Sequence, residues 1–364
     1  MAAWLETETA VVEESYTALR FSAWQAVALP FADEPHVAVW RRYIAQAEQV
    51  GAYAVLRDKF GCLSFPIRAG IYTQAAYRAV CLQGAIPPKR ATGILFERPA
   101  AMKLELVGTI AGTLPIIRTP HRPDFIKLVQ AFAHRNEPYV VPDSMGACLV
   151  SGFNNWDRVR QYQQSWRAKR PFGNWDSEFQ KLQSRKECYQ DRFLILSEGP
   201  YSNVPGQALN LPAAEWQALS YYIRRQHESA HYVMKRVYGV MHKHVLDEII
   251  ADYAALVAVT GRYRADWFLH FMGLERERYR ENGRLQNYCP SLPPTDFAEI
   301  CHLTRQATAS LNHFDAQFGP ARRSQLGQAH MMLAISQLSL AELGSSQAPT
   351  LLARALASIE SATV

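Results

Sequence analysis

The stretch PAAEWQALSYYIRRQHESAHYVMKRVYG, Pro212 to Gly239, decides how the second half of this chain folds. Proline stands where helices begin, because its missing N–H is one that the first helical turn leaves unpaired anyway, and glycine stands where helices stop. Between them Trp216, Ser220, Ile223, His227, His231, Met234 and Tyr238 recur every three or four residues, so they fall along one stripe of a long helix. That stripe carries an HExxH motif, His227-Glu228-Ser229-Ala230-His231. Residues four apart lie one above the other, which lets two imidazoles grip a single zinc ion. The glutamate beside the first histidine is then placed to take a proton from water held by that metal. A lone inward histidine reads as a hydrogen-bonded core residue; a pair with a glutamate between them fits metal binding better.

A catalytic zinc needs three protein ligands and an open position. The next helical stretch, Val245 to Val259, is apolar except for Asp247, Glu248 and Asp252. Burying an unpaired carboxylate costs on the order of several kcal/mol, so acids in such a helix imply partners. Glu248 and Asp252 are one turn apart on a shared face. Glu248 would complete the ligand set, and Asp252 could accept the far N–H of a ligand histidine and fix its tautomer. The plainer alternative pairs these acids with Lys235, Arg236 or Lys243 at the surface. His242 and His244, spaced as HxH between the two helices, are rival ligands, although loop histidines beside a lysine are more simply solvated.

This arrangement resembles the gluzincins, the zinc metallopeptidases that include thermolysin, whose HExxH is followed on a second helix by ExxxD. Here the second element reads Glu248-Ile249-Ile250-Ala251-Asp252. The resemblance covers Phe193 to Asp252. It implies one Zn2+ on His227, His231 and Glu248, with Glu228 as general base and Asp252 supporting a ligand from outside. It also implies a substrate-binding edge strand ahead of the motif helix, for which Phe193 to Leu196 could serve. A Tyr or His from further along would stabilise the oxyanion; Tyr279, Tyr288, His302 and His313 all stay open. Sixteen residues (232 to 247) separate His231 from Glu248, a tighter connection than thermolysin has. Ser144-Met145-Gly146-Ala147-Cys148 through Asp157, together with the HExxH, is also similar to an uncharacterised bacterial protein family, a likeness that brings no function.

Two other readings compete. Glu228/His231 and Glu299/His302 are both ExxH pairs. Two such pairs, with Glu248 and either Glu198 or Glu215, could build a di-iron oxidase or oxygenase in a helix bundle, at the expense of leaving His227 without a role. A non-catalytic metallopeptidase-like adaptor is the other. Cys148 lies in a glycine-rich stretch, but no histidine is indicated as its base. No P-loop or dinucleotide fingerprint is present.

The 364 residues, 48% apolar, suffice for a sizeable core. No run of eighteen apolar residues spans a membrane. Met1 to Tyr16 lacks the basic and apolar segments of a secretory signal, and six scattered cysteines without a CxxC fit reduced thiols. A cytoplasmic protein is therefore expected, acting on a peptide or amide substrate with no membrane partner. The net charge of +6 gathers in Arg158 to Arg192 and Arg262 to Arg284. The first stretch holds Tyr162, Trp166, Phe172, Trp175 and Phe179, a mixture able to stack bases. Its interspersed acids favour helix faces with inward aromatics over a nucleic-acid surface.

Upstream, Val37 to Gln49 has helical spacing ending at Gly51. Gly93 to Glu97, Lys103 to Val107 and Leu114 to Arg118 read as strands of a meander. A helix over Pro123 to His134 and a strand at Ala147 to Gly152 follow, and Asn154-Asn155-Trp156-Asp157 then opens a helical, basic segment that runs to about Lys169. Phe193 to Leu196 is a last strand, Thr295 to Phe318 a helix, and Arg322 to Leu343 a final helix with a short helical run after it. The expected fold is α+β and predominantly helical. Residues 1–170 would form a mixed α/β part of unknown role, and 171–364 a helical, zincin-like metal-binding part, parted at Pro171 to Asn174.

Overall fold

The computed structural model describes residues 17–18, 21, 28–88, 93–239 and 244–362. Over these it is a predominantly helical α+β protein with thirteen helices and one four-stranded sheet. No helix of the described residues is long and apolar enough to cross a membrane. The contacts group into two compact units, one formed by Pro30–Ser229 and the other built mainly from Ala230 onward.

The first unit runs α1 (Val37–Val50), α2 (Ala52–Lys59), α3 (Ala75–Tyr77), β1 (Lys103–Thr109), β2 (Gly112–Thr119), α4 (Arg122–Phe132), β3 (Ala147–Asn154), α5 (Trp156–Lys169), α6 (Trp175–Gln183), β4 (Gln190–Ser197) and the start of α7 (Ala213–Tyr238). Helix α1 stops at Gly51, whose φ of 87° lies in the region that favours glycine. The sheet order is β1-β2-β4-β3. β1 and β2 form a hairpin, β2 and β4 are parallel with Ile116 opposite Leu194, and β3 returns antiparallel to β4. Of the expected meander, Lys103 to Val107 and Leu114 to Arg118 pair as this hairpin, and β4 is inserted between β2 and β3. Gly93 to Glu97 is not a strand: the backbone N–H groups of Glu97 and Arg98 are taken by the buried Asp124 carboxylate rather than by a neighbouring strand.

β4 is interior. Phe193, Leu194, Ile195 and Leu196 are all 0% exposed, as a continuous apolar run requires when both faces of a strand are covered. Phe193 and Ile195 pack with Trp40, Phe60, Phe125 and Phe132 on one face. The expectation that Phe193 to Leu196 is an edge strand is thus corrected; the sheet edges are β1 and β3. Behind Phe193 lies a buried polar knot, in which Asp191 accepts from Trp40 Nε1 (2.9 Å), Asn155 Nδ2 (2.7 Å) and Arg158 Nη1 (2.8 Å).

The recurring Asn-Trp-Asp marks two helix starts. Asn155 accepts from the N–H groups of Asp157 and Arg158, and Asn174 from that of Ser177. The aromatics of this basic segment face one another, Trp166 lying 5.9 Å from Trp175 and Trp175 5.9 Å from Phe179. Phe172 alone is fully exposed. Pro171 to Asn174 joins α5 to α6 within this unit, and the change of unit falls inside α7, after Ser229.

The second unit continues from α7 through α8 (Val245–Thr260), α9 (Ala265–Met272), α10 (Pro294–Phe318), α11 (Gln325–Ser336), α12 (Leu340–Leu343) and α13 (Ala348–Ala362). Every residue of α8 from Val245 to Val257 is buried. The single helix expected over Arg322 to Leu343 is broken, because Ser339 and Glu342 form a reciprocal capping box that opens α12.

Candidate metal centre

His227 and His231 lie on the buried stripe of α7, 5% and 7% exposed, and Glu248 on α8 is 8% exposed. One ligand atom from each falls within 4.8 Å of the others. His231 Nε2 stands 3.4 Å from Glu248 Oε1. A tetrahedral ion with bonds of about 2.1 Å sets its ligand atoms about 3.4 Å apart, the spacing of the His231–Glu248 pair, and the third group, His227, falls within 4.8 Å of both. Glu228, beside His227, is only partly buried, which leaves its carboxylate within reach of solvent.

Around the three groups, the chain fixes orientation. The Nδ1 of His227 is 2.8 Å from the hydroxyl of Tyr201. Tyr201 follows β4 in the chain. Its N–H is held by Ser220 Oγ at 3.0 Å. The buried Arg224 donates to the carbonyls of Ser197, Gly199 and Pro200 at 2.9, 2.9 and 3.0 Å. Gly146 lies against that guanidinium so closely that any side chain there would collide with it. Ser202 and Asn203, next in the chain, are left-handed at φ 53° and 55°, a conformation that non-glycine residues hold only when their surroundings impose it.

Tyr288 donates to Glu248 Oε2 at 2.8 Å. Arg284 Nη2 bonds Asp252 Oδ2 and lies 3.8 Å from Glu248 Oε2. Asp252 is 0% exposed and has this guanidinium among its partners. Asp247, Glu248 and Asp252 are all buried rather than at the surface, and Lys243 lies outside the described residues. Sequence reasoning missed Tyr201, Arg284 and Arg224. The first two sit in short 3-10 turns with no periodicity to flag them.

Of the four oxyanion candidates, the structure brings Tyr288 to Glu248. Tyr279 donates instead to the Gly283 carbonyl, and His302 and His313 are exposed on α10. Glu299 is exposed as well, so the second ExxH pair faces solvent. Glu198 is paired with Arg118, and Glu215 is exposed. The di-iron reading therefore lacks its second pair. His244 caps α8, its Nδ1 accepting from Asp247 N–H at 3.4 Å, while His242 lies outside the described residues. Burial, and secondarily the nearby Glu228 carboxylate, push the Cys148 thiol up to about 12, away from the thiolate form. All six cysteines are free.

A family model described as a family of unknown function, DUF7005, matches residues 3–347. No curated protein and no solved structure matches the chain. The likeness to an uncharacterised family is thereby shown, whereas the gluzincin likeness rests on the motif residues alone.

Proposed function

Because the chain belongs to this DUF7005 family of unknown function, we propose its activity from the site itself: hydrolysis of a peptide or amide bond with one Zn2+ held by His227, His231 and Glu248. The observation that carries this reading is the convergence of three buried ligand atoms within 4.8 Å, with Glu228 next to the first of them. A zinc ion in such a donor set acidifies a water molecule and polarises a carbonyl. Glu228 accepts the proton of the attacking water and returns it to the departing amine, so one carboxylate serves as base and then as acid. Tyr288, raised far above the ordinary phenol range chiefly by burial and then by Glu248, stays protonated. Its O–H is therefore available to share between Glu248 and the oxyanion that grows on the substrate carbonyl. Tyr288 and Arg284 hold the Glu248 carboxylate in place from the side away from His231.

The test is metal content by elemental analysis of the full chain, joined to a cleavage screen over peptide libraries. One zinc per chain with cleavage is the expected result. Two irons per chain would replace the reading with the di-iron alternative, and a His231→Ala protein that kept stoichiometric zinc would remove the ligand assignment.

A further inference from the structure

We infer that Tyr201 is a positioning residue for the metal: its phenolic oxygen accepts the Nδ1 proton of His227 and so fixes the tautomer that offers Nε2 to a divalent cation. This rests on the metal-site reading above. The two atoms are 2.8 Å apart, and the histidine is 5% exposed and the tyrosine 3% exposed. A neutral imidazole carries one proton, and the nitrogen that keeps it is set by the hydrogen bond made at that nitrogen. With Nδ1–H directed at Tyr201, the lone pair on Nε2 is left for the ion.

The surroundings of Tyr201 hold it for this purpose from several directions at once. Ser220 and Arg224 lie on the same helix as His227, seven and three residues before it (227 − 220 and 227 − 224), and both act on the loop after β4. Ser220 takes the Tyr201 N–H, and Arg224 ties down the carbonyls of Ser197, Gly199 and Pro200 just ahead of it. The guanidinium also lies 5.7 Å from the centre of the Tyr201 ring. The helix that presents the histidine thus also places the hydroxyl that orients it.

The experiment compares zinc affinity of the full-length wild type and Tyr201→Phe by competition with a chromophoric chelator, alongside the unfolding midpoint of each metal-free protein. The expected result is zinc binding weakened about 10- to 100-fold in Tyr201→Phe. Equal zinc affinity in the two proteins would overturn the role of Tyr201 and leave the metal site standing. A wild type that binds no zinc would overturn both. Nitrogen chemical shifts of His227 in the zinc-loaded wild type read the same point without any variant. A protonated Nδ1 with metal on Nε2 supports the assignment, and metal on Nδ1 overturns it.

Discussion

Tyr288 and Glu248 share a hydrogen bond of 2.8 Å through Oε2, while the other oxygen of the same carboxylate, Oε1, faces His231 Nε2 at 3.4 Å. The two oxygens are thereby given different partners. One is held by a protein donor, and the other is presented beside an imidazole at the spacing that two ligands of one ion adopt. The turn Arg284–Tyr288, which supplies the donor, also sends Arg284 to Asp252 one helical turn further along α8.

Glu228→Gln should retain one zinc per chain and lose turnover by about 10²- to 10⁴-fold, the range a general base contributes. Elemental analysis and peptide cleavage on the same preparation check this. Full activity in the variant would remove the proposed base.

Tyr288→Phe keeps the ring and deletes the donor. With Tyr288 on the oxyanion, kcat should fall about 10²- to 10³-fold with KM little changed. Zinc affinity should drop less, since Oε1 still faces His231. An unchanged kcat would assign Tyr288 to holding Glu248 and nothing more.

Arg284→Met removes the guanidinium from a fully buried Asp252. Breaking a buried pair from one side costs about 3–5 kcal/mol. The urea midpoint of the metal-free protein should fall accordingly, and a midpoint equal to the wild type would contradict the importance of this pair.

Two buried groups in the Pro30–Ser229 unit should oppose each other between pH 4 and 6. Burial lowers His36 from 6.5 to about 4, so below 6.5 the unfolded chain takes up a proton that the folded one refuses. Its contribution is complete above 6.5 and is lost as pH falls toward 4, by about 3 kcal/mol. Burial raises Asp191 from 3.8 to about 6, outweighing the Arg158 guanidinium. Its contribution is complete below 3.8 and is lost as pH rises through 6. His36→Phe should uncover stability that declines with rising pH, and Asp191→Asn stability that declines with falling pH. Melting temperatures at half-unit steps decide it; level profiles in both variants would contradict the two shifts.

The sequence by itself determined helix α7, its buried histidine stripe and the neighbouring acid-bearing α8. Helical period, Pro at the start and Gly at the end are local properties of the chain. It also singled out Glu248, because a carboxylate in an apolar helix has to be accounted for by a partner. Only the tertiary structure decided that β4 lies between β2 and β3, since an apolar run says that a strand is covered on both faces but not which strands flank it. Only it brought Tyr288, rather than Tyr279, His302 or His313, to Glu248, Tyr201 to His227 and Arg284 to Asp252. Those side chains stand in short turns 26 to 40 positions from their partners, where no period links one to the other and the hydrogen bond exists only once the chain has closed.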